Sequence, residues 1–283
     1  MKLLRLLFGV EIPEVSVDVK LYISADIEGV AGIAHWDEAG KKQPEYPEFR
    51  AQMTADVAAA CHAAVAAGAR DILVKDAHGS GRNIIHDQLP DEARVIRGWS
   101  GHPFGMMQDL DDSFDAAVLL GYHGSATDPH NPLSHTFTGY FAETRLNGAL
   151  CAEFHISLYL AASVNVPIIL ISGDDGICAT AKTANPAMTT VITGGGTGAS
   201  NTGLHPNRAR AAIADGITKA MAADPAACAV TLPDDFELAI RFNNHAKAYR
   251  NGFYPGAAQT GPETVTFRAN NIFDIARMLS FMS

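Results

Sequence analysis

Apolar and polar positions fall into blocks with two different periods along this chain. The first convincing block, KLYISAD (20–26), is apolar through its centre, as a strand covered on both faces requires. A polar, proline-containing stretch (37–48) separates it from FRAQMTADVAAACHAAVAAGA, whose alanine-rich composition predicts a helix closed by Gly68 at its C-cap. The β-branched run DILVKDAH (71–78) predicts a second buried strand, ARVIRG (93–98) a short one, and DAAVLLGYH (115–123) another. CAEFHISLYLAASVN (151–165) reads as a helix and PIILISGDD (167–175) as a strand. MTTVITGGGTG predicts a strand running into a glycine turn, and HPNRARAAIADGITKAMAAD a helix with Pro206 in its first turn.

Strands alternating with helices predict a parallel or mostly parallel sheet covered by helices. After about Thr231 the period drops to two. FELAIRF (236–242) and ETVTFRA (263–269) suit half-exposed antiparallel strands, and NIFDIARMLSF follows as a final helix. The expected fold class is therefore α/β, a mostly parallel sheet flanked by helices, with a smaller α+β C-terminal portion. The expected division is an extension or tag over 1–19, an α/β metal-binding catalytic domain over 20–230, and the α+β portion over 231–283.

Composition narrows the function classes. With 47% hydrophobic and 18% charged residues, the 283-residue chain can bury a sizeable core. Its formal net charge of −10 and lack of a basic block disfavour binding to a phosphate backbone, so no nucleic-acid partner is expected. No apolar run approaches the ~20 residues of a membrane span, and no membrane partner is expected. The start MKLLRLLFGVEIPEV has early positive charges and a short apolar stretch, but Glu11 and Pro13 interrupt it and no small-residue cleavage site follows. Cys61, Cys151, Cys178 and Cys228 are widely spaced and form no CxxC, which suits a reducing compartment. The expected location is cytoplasmic.

Ligands of open α/β sheets bind beyond the carboxyl ends of the strands. The first strand ends in Asp26 and Glu28, the second in Asp76 and His78, and the DAAVLLGYH strand in His123. Residues i and i+2 of an extended chain share a side, so Asp26 and Glu28 are expected to face the same way. Two carboxylates ~4 Å apart repel by about 4 kcal/mol at an effective dielectric of ~20, which calls for a cation between them. A lone histidine or aspartate at a strand end is usually a structural residue. Three independent strands carrying Asp, Glu and His to one edge instead form the ligand set of Zn²⁺ or a similar divalent ion. Glu153 adds a carboxylate in line with Ile156 and Leu160 on the predicted helix, where a macrodipole-satisfied helix start is the plainer alternative. His135, in the loop NPLSHTFTG, has a side chain suited to acid–base work near a metal-bound water, or is a surface residue. His155 lies off the Glu153 face. His35, His62, His86, His102, His130, His205 and His245 have no comparable placement and are read as structural or surface residues.

Two other features compete for attention. GGGTGAS (194–200) lacks the Lys-Ser/Thr of a P-loop and is better read as a glycine-rich turn, structural or bordering the substrate. Asp174 and Asp175 in SGDD end another strand and are expected to support the site or hold a loop. No GxSxG elbow is present and no cysteine has an evident partner base, so a covalent hydrolase is disfavoured.

SADIEG, VKDAHG, LLGYHG, LSHTFTG and AEFHISLYLA, in this order and at these distances, resemble the D-aminopeptidase family of peptidases, M55. The resemblance runs from about Lys20 to near the C-terminus. It implies a pair of zinc ions held by Asp26, Glu28, His78, His123 and Glu153, with Asp26 bridging them and His135 as the catalytic histidine. It further implies removal of the N-terminal D-amino acid, such as D-Ala, from short peptides by a two-metal mechanism, and assembly as a homodecamer of two stacked rings. The first nineteen residues have no counterpart in the family, and ITGGGTGASNTGLHP is richer in glycine than expected. Two other functions compete: a metal-dependent hydrolase of a different amide on the same scaffold, and a non-catalytic protein that binds an amine or peptide at the strand-end acids.

Overall fold

A computed structural model describes residues 18–282. Its first half contains β1 (Val19–Ala25), α1 (Trp36–Ala39), α2 (Tyr46–Ala66), β2 (Ala69–Asp76), β3 (Ala93–Ile96) and β4 (Ala116–Tyr122). The hairpin β5 (Phe141–Leu146) and β6 (Ala149–Leu150) follows, then α3 (Glu153–Ser163), β7 (Ile168–Asp174) and α4 (Asp175–Ala184). Beyond these lie β8 (Thr189–Thr197), β9 (Ser200–Gly203), α5 (Pro206–Ala222) and β10 (Phe236–Phe242). The chain closes with α6 (His245–Asn251), β11 (Ala257–Gln259), β12 (Thr264–Ala269) and α7 (Ile272–Met282).

A seven-stranded sheet runs in the order β3-β2-β1-β4-β7-β8-β9, parallel throughout except for β9. Consecutive residues Leu21, Tyr22 and Ile23 are all fully buried, which happens only when both faces of the sheet are covered. This is the expected mostly parallel α/β layer. A second, antiparallel sheet has the order β11-β12-β10-β5-β6. It joins the expected C-terminal strands β10 and β12 to a hairpin from 141–150, so this layer is not contiguous in sequence. Among the described residues no helix is long and apolar enough to cross a membrane. The expectations about Met1 to Val17 lie outside the described residues.

Several local expectations change. α2 ends at Ala66, and Gly68 follows it with φ of +110°, a left-handed position that glycine adopts without a Cβ penalty. The glycines 194–196 do not form a turn. They continue β8 and pair with β9, and the reversal comes at Gly198, with φ of +60°. A Cβ on Gly196 would sit 2.8 Å from the His130 backbone, and one on Gly195 would sit 2.9 Å from the Asp175 carboxylate. Close strand-to-loop packing therefore explains the glycine run. Helix α4, which the sequence pattern does not announce, starts directly off β7 because Asp174 caps it, accepting from the Ile177 N–H at 2.7 Å.

The strand order fixes where a ligand can sit. From β1 the chain crosses to β2 and β3 on one side, then returns to place β4 on the other side of β1. The carboxyl ends of β1 and β4 therefore flank the topological switch point, the usual crevice of such sheets.

Candidate metal centre

The chain leaves β1 at Ala25, and Asp26 to Glu28 form a turn rather than extended strand. The expected i, i+2 strand geometry is thus corrected: the turn, not the pleat, aims both carboxylates. It is stitched to β4 by Asp26 N–H to the Leu120 carbonyl and Gly29 N–H to the Gly121 carbonyl, each 2.8 Å. Gly121, with φ of +67°, makes this possible, because a Cβ there would lie 2.3 Å from the Asp26 carbonyl oxygen.

Three histidines converge on these carboxylates, each fixed the same way. His78 donates Nε2–H to the Ala39 carbonyl (2.9 Å), leaving Nδ1 to face Glu28 Oε1 at 3.1 Å and Asp26 Oδ1 at 3.3 Å. His123 donates Nδ1–H to the Gly124 carbonyl (2.9 Å), and its Nε2 lies 3.7 Å from both Asp26 Oδ2 and Glu153 Oε2. His135 donates Nδ1–H to the Leu133 carbonyl (2.9 Å), and its Nε2 lies 3.7 Å from Glu153 Oε1. A backbone carbonyl on the far nitrogen fixes the tautomer and aims the other lone pair, as in metal-ligating histidines. Asp26 divides its two oxygens between His78 and His123.

Glu153 begins α3, and Oε1 accepts the Phe137 N–H at 2.6 Å. Phe137 holds φ of +60°, a left-handed conformation that costs a bulky residue about 1–2 kcal/mol. That backbone points its N–H at the carboxylate.

The electrostatics call for added positive charge. Asp26, Glu28 and Glu153 are each nearly inaccessible to solvent. Burial and the Glu28 charge raise the Asp26 pKa well above the carboxylate range. Burial opposes ionisation of Glu28 too, but His78 outweighs it and holds Glu28 well below its ordinary value. Burial disfavours the His123 cation, yet Glu153, Glu28 and Asp26 together push its pKa up to about 9. With protein groups alone, the histidines must supply the compensating charge.

A divalent ion fits the same atoms. Among the described residues, Glu28 Oε2 and His123 Nε2 are buried without a hydrogen-bond partner. Ligand atoms of Asp26, Glu28 and His123 lie within 4.8 Å of one another, as do those of His123, His135 and Glu153. Carboxylate oxygens and imidazole nitrogens in this mixture suit zinc. The second grouping also includes His135, which sequence reasoning reserved for proton transfer.

Asp76 and Asp174, at the ends of the strands that flank β1 and β4, spend their carboxylates on the loops around this cluster. Asp76 accepts from the Asn83 side chain at 2.7 Å and the Ile84 N–H at 2.8 Å, closing the loop that carries His78. Asp174 accepts from the Gly124 N–H at 2.9 Å and the Asn131 side chain at 3.2 Å, bracing the residue after His123. Asp175 instead pairs with His130 at 2.8 Å. His155 folds back onto the Ala152 N–H at 3.0 Å as a helix cap.

The cluster forms one end of a cavity of about 560 Å³. Trp99, His102 and Phe104 line it; the sequence pattern marked neither Trp99 nor Phe104, and His102, read as structural or surface, borders the cavity instead. Their only sequence signal is a run of aromatic and glycine residues between β3 and β4.

Known proteins share this architecture. The model of the M55 peptidase family, described as D-aminopeptidase, matches residues 19–281. A D-aminopeptidase of Bacillus subtilis (strain 168) is 29% identical over 269 residues, covering 94% of this chain and 97% of that protein. The solved structure of the Zn-dependent D-aminopeptidase DppA from Bacillus subtilis, a self-compartmentalizing protease, superimposes with a TM-score of 0.88 at 27% identity, covering 93% of this chain and 96% of that one.

Proposed function

This chain belongs to the M55 family of D-aminopeptidases, and from that premise we propose that it is a zinc-dependent aminopeptidase removing the N-terminal D-amino acid from short peptides. The observation that carries the reading is the carboxylate of Asp26, whose oxygens face two tautomer-fixed histidines at 3.3 and 3.7 Å. A carboxylate so divided is suited to bridging two ions. Asp26, Glu28 and His78 would hold one zinc, and His123 and Glu153 the other, with Asp26 shared.

Zinc bound there supplies Lewis acidity towards the scissile carbonyl and lowers the pKa of water to ~7. The chain's own residues do the rest. The buried carboxylates of Asp26, Glu28 and Glu153 supply the negative charge and oxygen ligands that divalent cations require. His135 keeps its Nδ1 proton on Leu133, so Nε2 is the atom free to take a proton from the attacking water and deliver it to the leaving amine. Trp36 packs edge-on against the His135 ring, with centroids 5.2 Å apart, and holds its plane.

Two further readings go with this one. The solved relative is described as self-compartmentalizing, which supports a homo-oligomer, a decamer by family resemblance. All four cysteines are free and buried, which supports work in the reducing cytoplasm.

The deciding experiment pairs metal content with stereospecific turnover, using protein purified without a metal-chelating column. About two zinc ions per chain and cleavage of D-Ala-D-Ala but not L-Ala-L-Ala are expected. A protein that refuses zinc, or that cleaves only the L-peptide, overturns the reading.

A further inference from the structure

We propose that the cavity beyond the metal centre is a side-chain pocket selecting large apolar residues, branched or aromatic, at the D-configured N-terminus of the substrate. This rests on the aminopeptidase reading above and names the substrate class of the same site.

The pocket wall starts at the cluster itself. Glu153, Ile156 and Leu160 occupy one face of α3 at i, i+3 and i+7, and all three line the cavity. At 1.5 Å rise per residue the apolar wall spans roughly 5–10 Å from the Glu153 carboxylate's turn. That is the reach of a branched or aromatic side chain from an α-carbon whose carbonyl sits at the cluster. Trp99, Phe104, Met106 and Leu279 of α7 add further apolar lining.

Trp99 is held in place before any ligand arrives. Trp99 donates Nε1–H to the Gly79 carbonyl at 2.8 Å, and the Lys75 ammonium lies 3.8 Å from its ring centroid. Lys75 is itself fully buried and tied to the carbonyls of Asp76 (2.6 Å) and Gly98 (2.8 Å). A preformed pocket costs little ordering on binding.

Charge points the same way. Among the described residues, no Lys or Arg lines the cavity, and outside the cluster His102 is its only titratable lining group. No guanidinium or ammonium is there to pair with a substrate carboxylate, whereas a cavity of about 560 Å³ has room for an aromatic side chain. The methyl group of D-Ala would leave most of that apolar wall wet.

The test compares kcat/KM for dipeptides beginning with D-Leu, D-Phe or D-Ala on the zinc-loaded full chain. D-Leu and D-Phe substrates should exceed D-Ala by at least about tenfold, the worth of added methylenes in an apolar pocket. Leu160→Trp fills the pocket, and Ser280→Trp crowds its solvent-exposed rim with little demand on the core. Each should lower the ratio of the D-Leu and D-Phe values to the D-Ala value towards one, whatever it does to turnover in general; if Leu160→Trp does not fold, Ser280→Trp decides. D-Ala turnover without preference for the larger residues, or a preference that survives a folded filling variant, overturns this inference alone. A wild-type protein that loads zinc yet cleaves no D-peptide overturns the reading beneath it, and the pocket assignment with it.

Discussion

His123 and His135 stack ring on ring, with centroids 4.4 Å apart and planes 12° apart, so that each presents Nε2 to a different oxygen of Glu153 at 3.7 Å. Two parallel imidazoles thus share one carboxylate but meet different surroundings. The His123 side chain is 1% exposed, whereas that of His135 is 16% exposed and borders the cavity. The buried ring suits a ligand, and the open one suits contact with a substrate.

Replacing the open ring separates these roles. His135→Ala should lower kcat by ~10²–10⁴, the usual worth of a general acid–base group, while zinc content stays at the wild-type level. Metal analysis and steady-state kinetics on the same preparation check this. Loss of one zinc per chain would instead make His135 a ligand, as its grouping with His123 and Glu153 permits.

Removing the shared carboxylate should be more severe. Asp26→Ala takes away the oxygens facing both His78 and His123, so zinc binding and activity should vanish together. Chelation of the wild-type protein should abolish activity and lower its Tm, since a ligand that binds only the folded state stabilises it. Added zinc should restore both. Full activity after exhaustive chelation would count against a metal mechanism.

The turn that aims Asp26 has a steric requirement at a distance in sequence. Gly121→Ala adds a Cβ 2.3 Å from the Asp26 carbonyl oxygen at a residue with φ of +67°. Left-handed strain of about 1–2 kcal/mol and overpacking of about 1–3 kcal/mol should together lower the Tm by several degrees. Gly139→Ala, where a Cβ meets nothing within 4 Å, is the control. Equal melting of the two variants would show that the β1–β4 junction relaxes freely.

Stability should also depend on pH through a residue remote from the site. Asp56 is buried on α2, and burial raises its pKa to about 7 against the pull of Arg210. Below pH ~4 both folded and unfolded chains hold this proton, so it costs nothing. Between pH ~4 and 7 the unfolded chain releases the proton first, and stability falls as pH rises. The full cost, up to about 4 kcal/mol, is present above pH 7. Asp56→Asn should therefore raise the Tm at pH 8 and change it little at pH 4. Melting curves at the two pH values check this, and an equal gain at both would assign the effect to packing.

How much was legible depends on the range of the interaction. The strand β1, the helix α2 and the buried strands β2, β4 and β7 follow from local apolar runs and alanine-rich composition. Helix α4 was not legible, because it starts within the run that forms β7 and its signal is a single capping aspartate, Asp174. The hairpin β5–β6 was equally silent, since its pairing partner β10 lies about ninety residues further on. The glycines 194–196 suggested a turn locally, but their need for glycine comes from the backbone of His130 and the side chain of Asp175.

For the site, the chain's residue order already specifies which chemistry is available. Acids and histidines at the ends of successive buried strands must arrive at one edge of a parallel sheet, because parallel strands all point the same way. It could not determine how those groups face one another. That Asp26 divides its oxygens between two histidines, that each histidine lends its other nitrogen to a backbone carbonyl, and that Trp99 and Leu160 line one cavity are relations between segments far apart in the chain. Such relations arise only when the strands are ordered and the turns between them closed, so tertiary packing alone decided them.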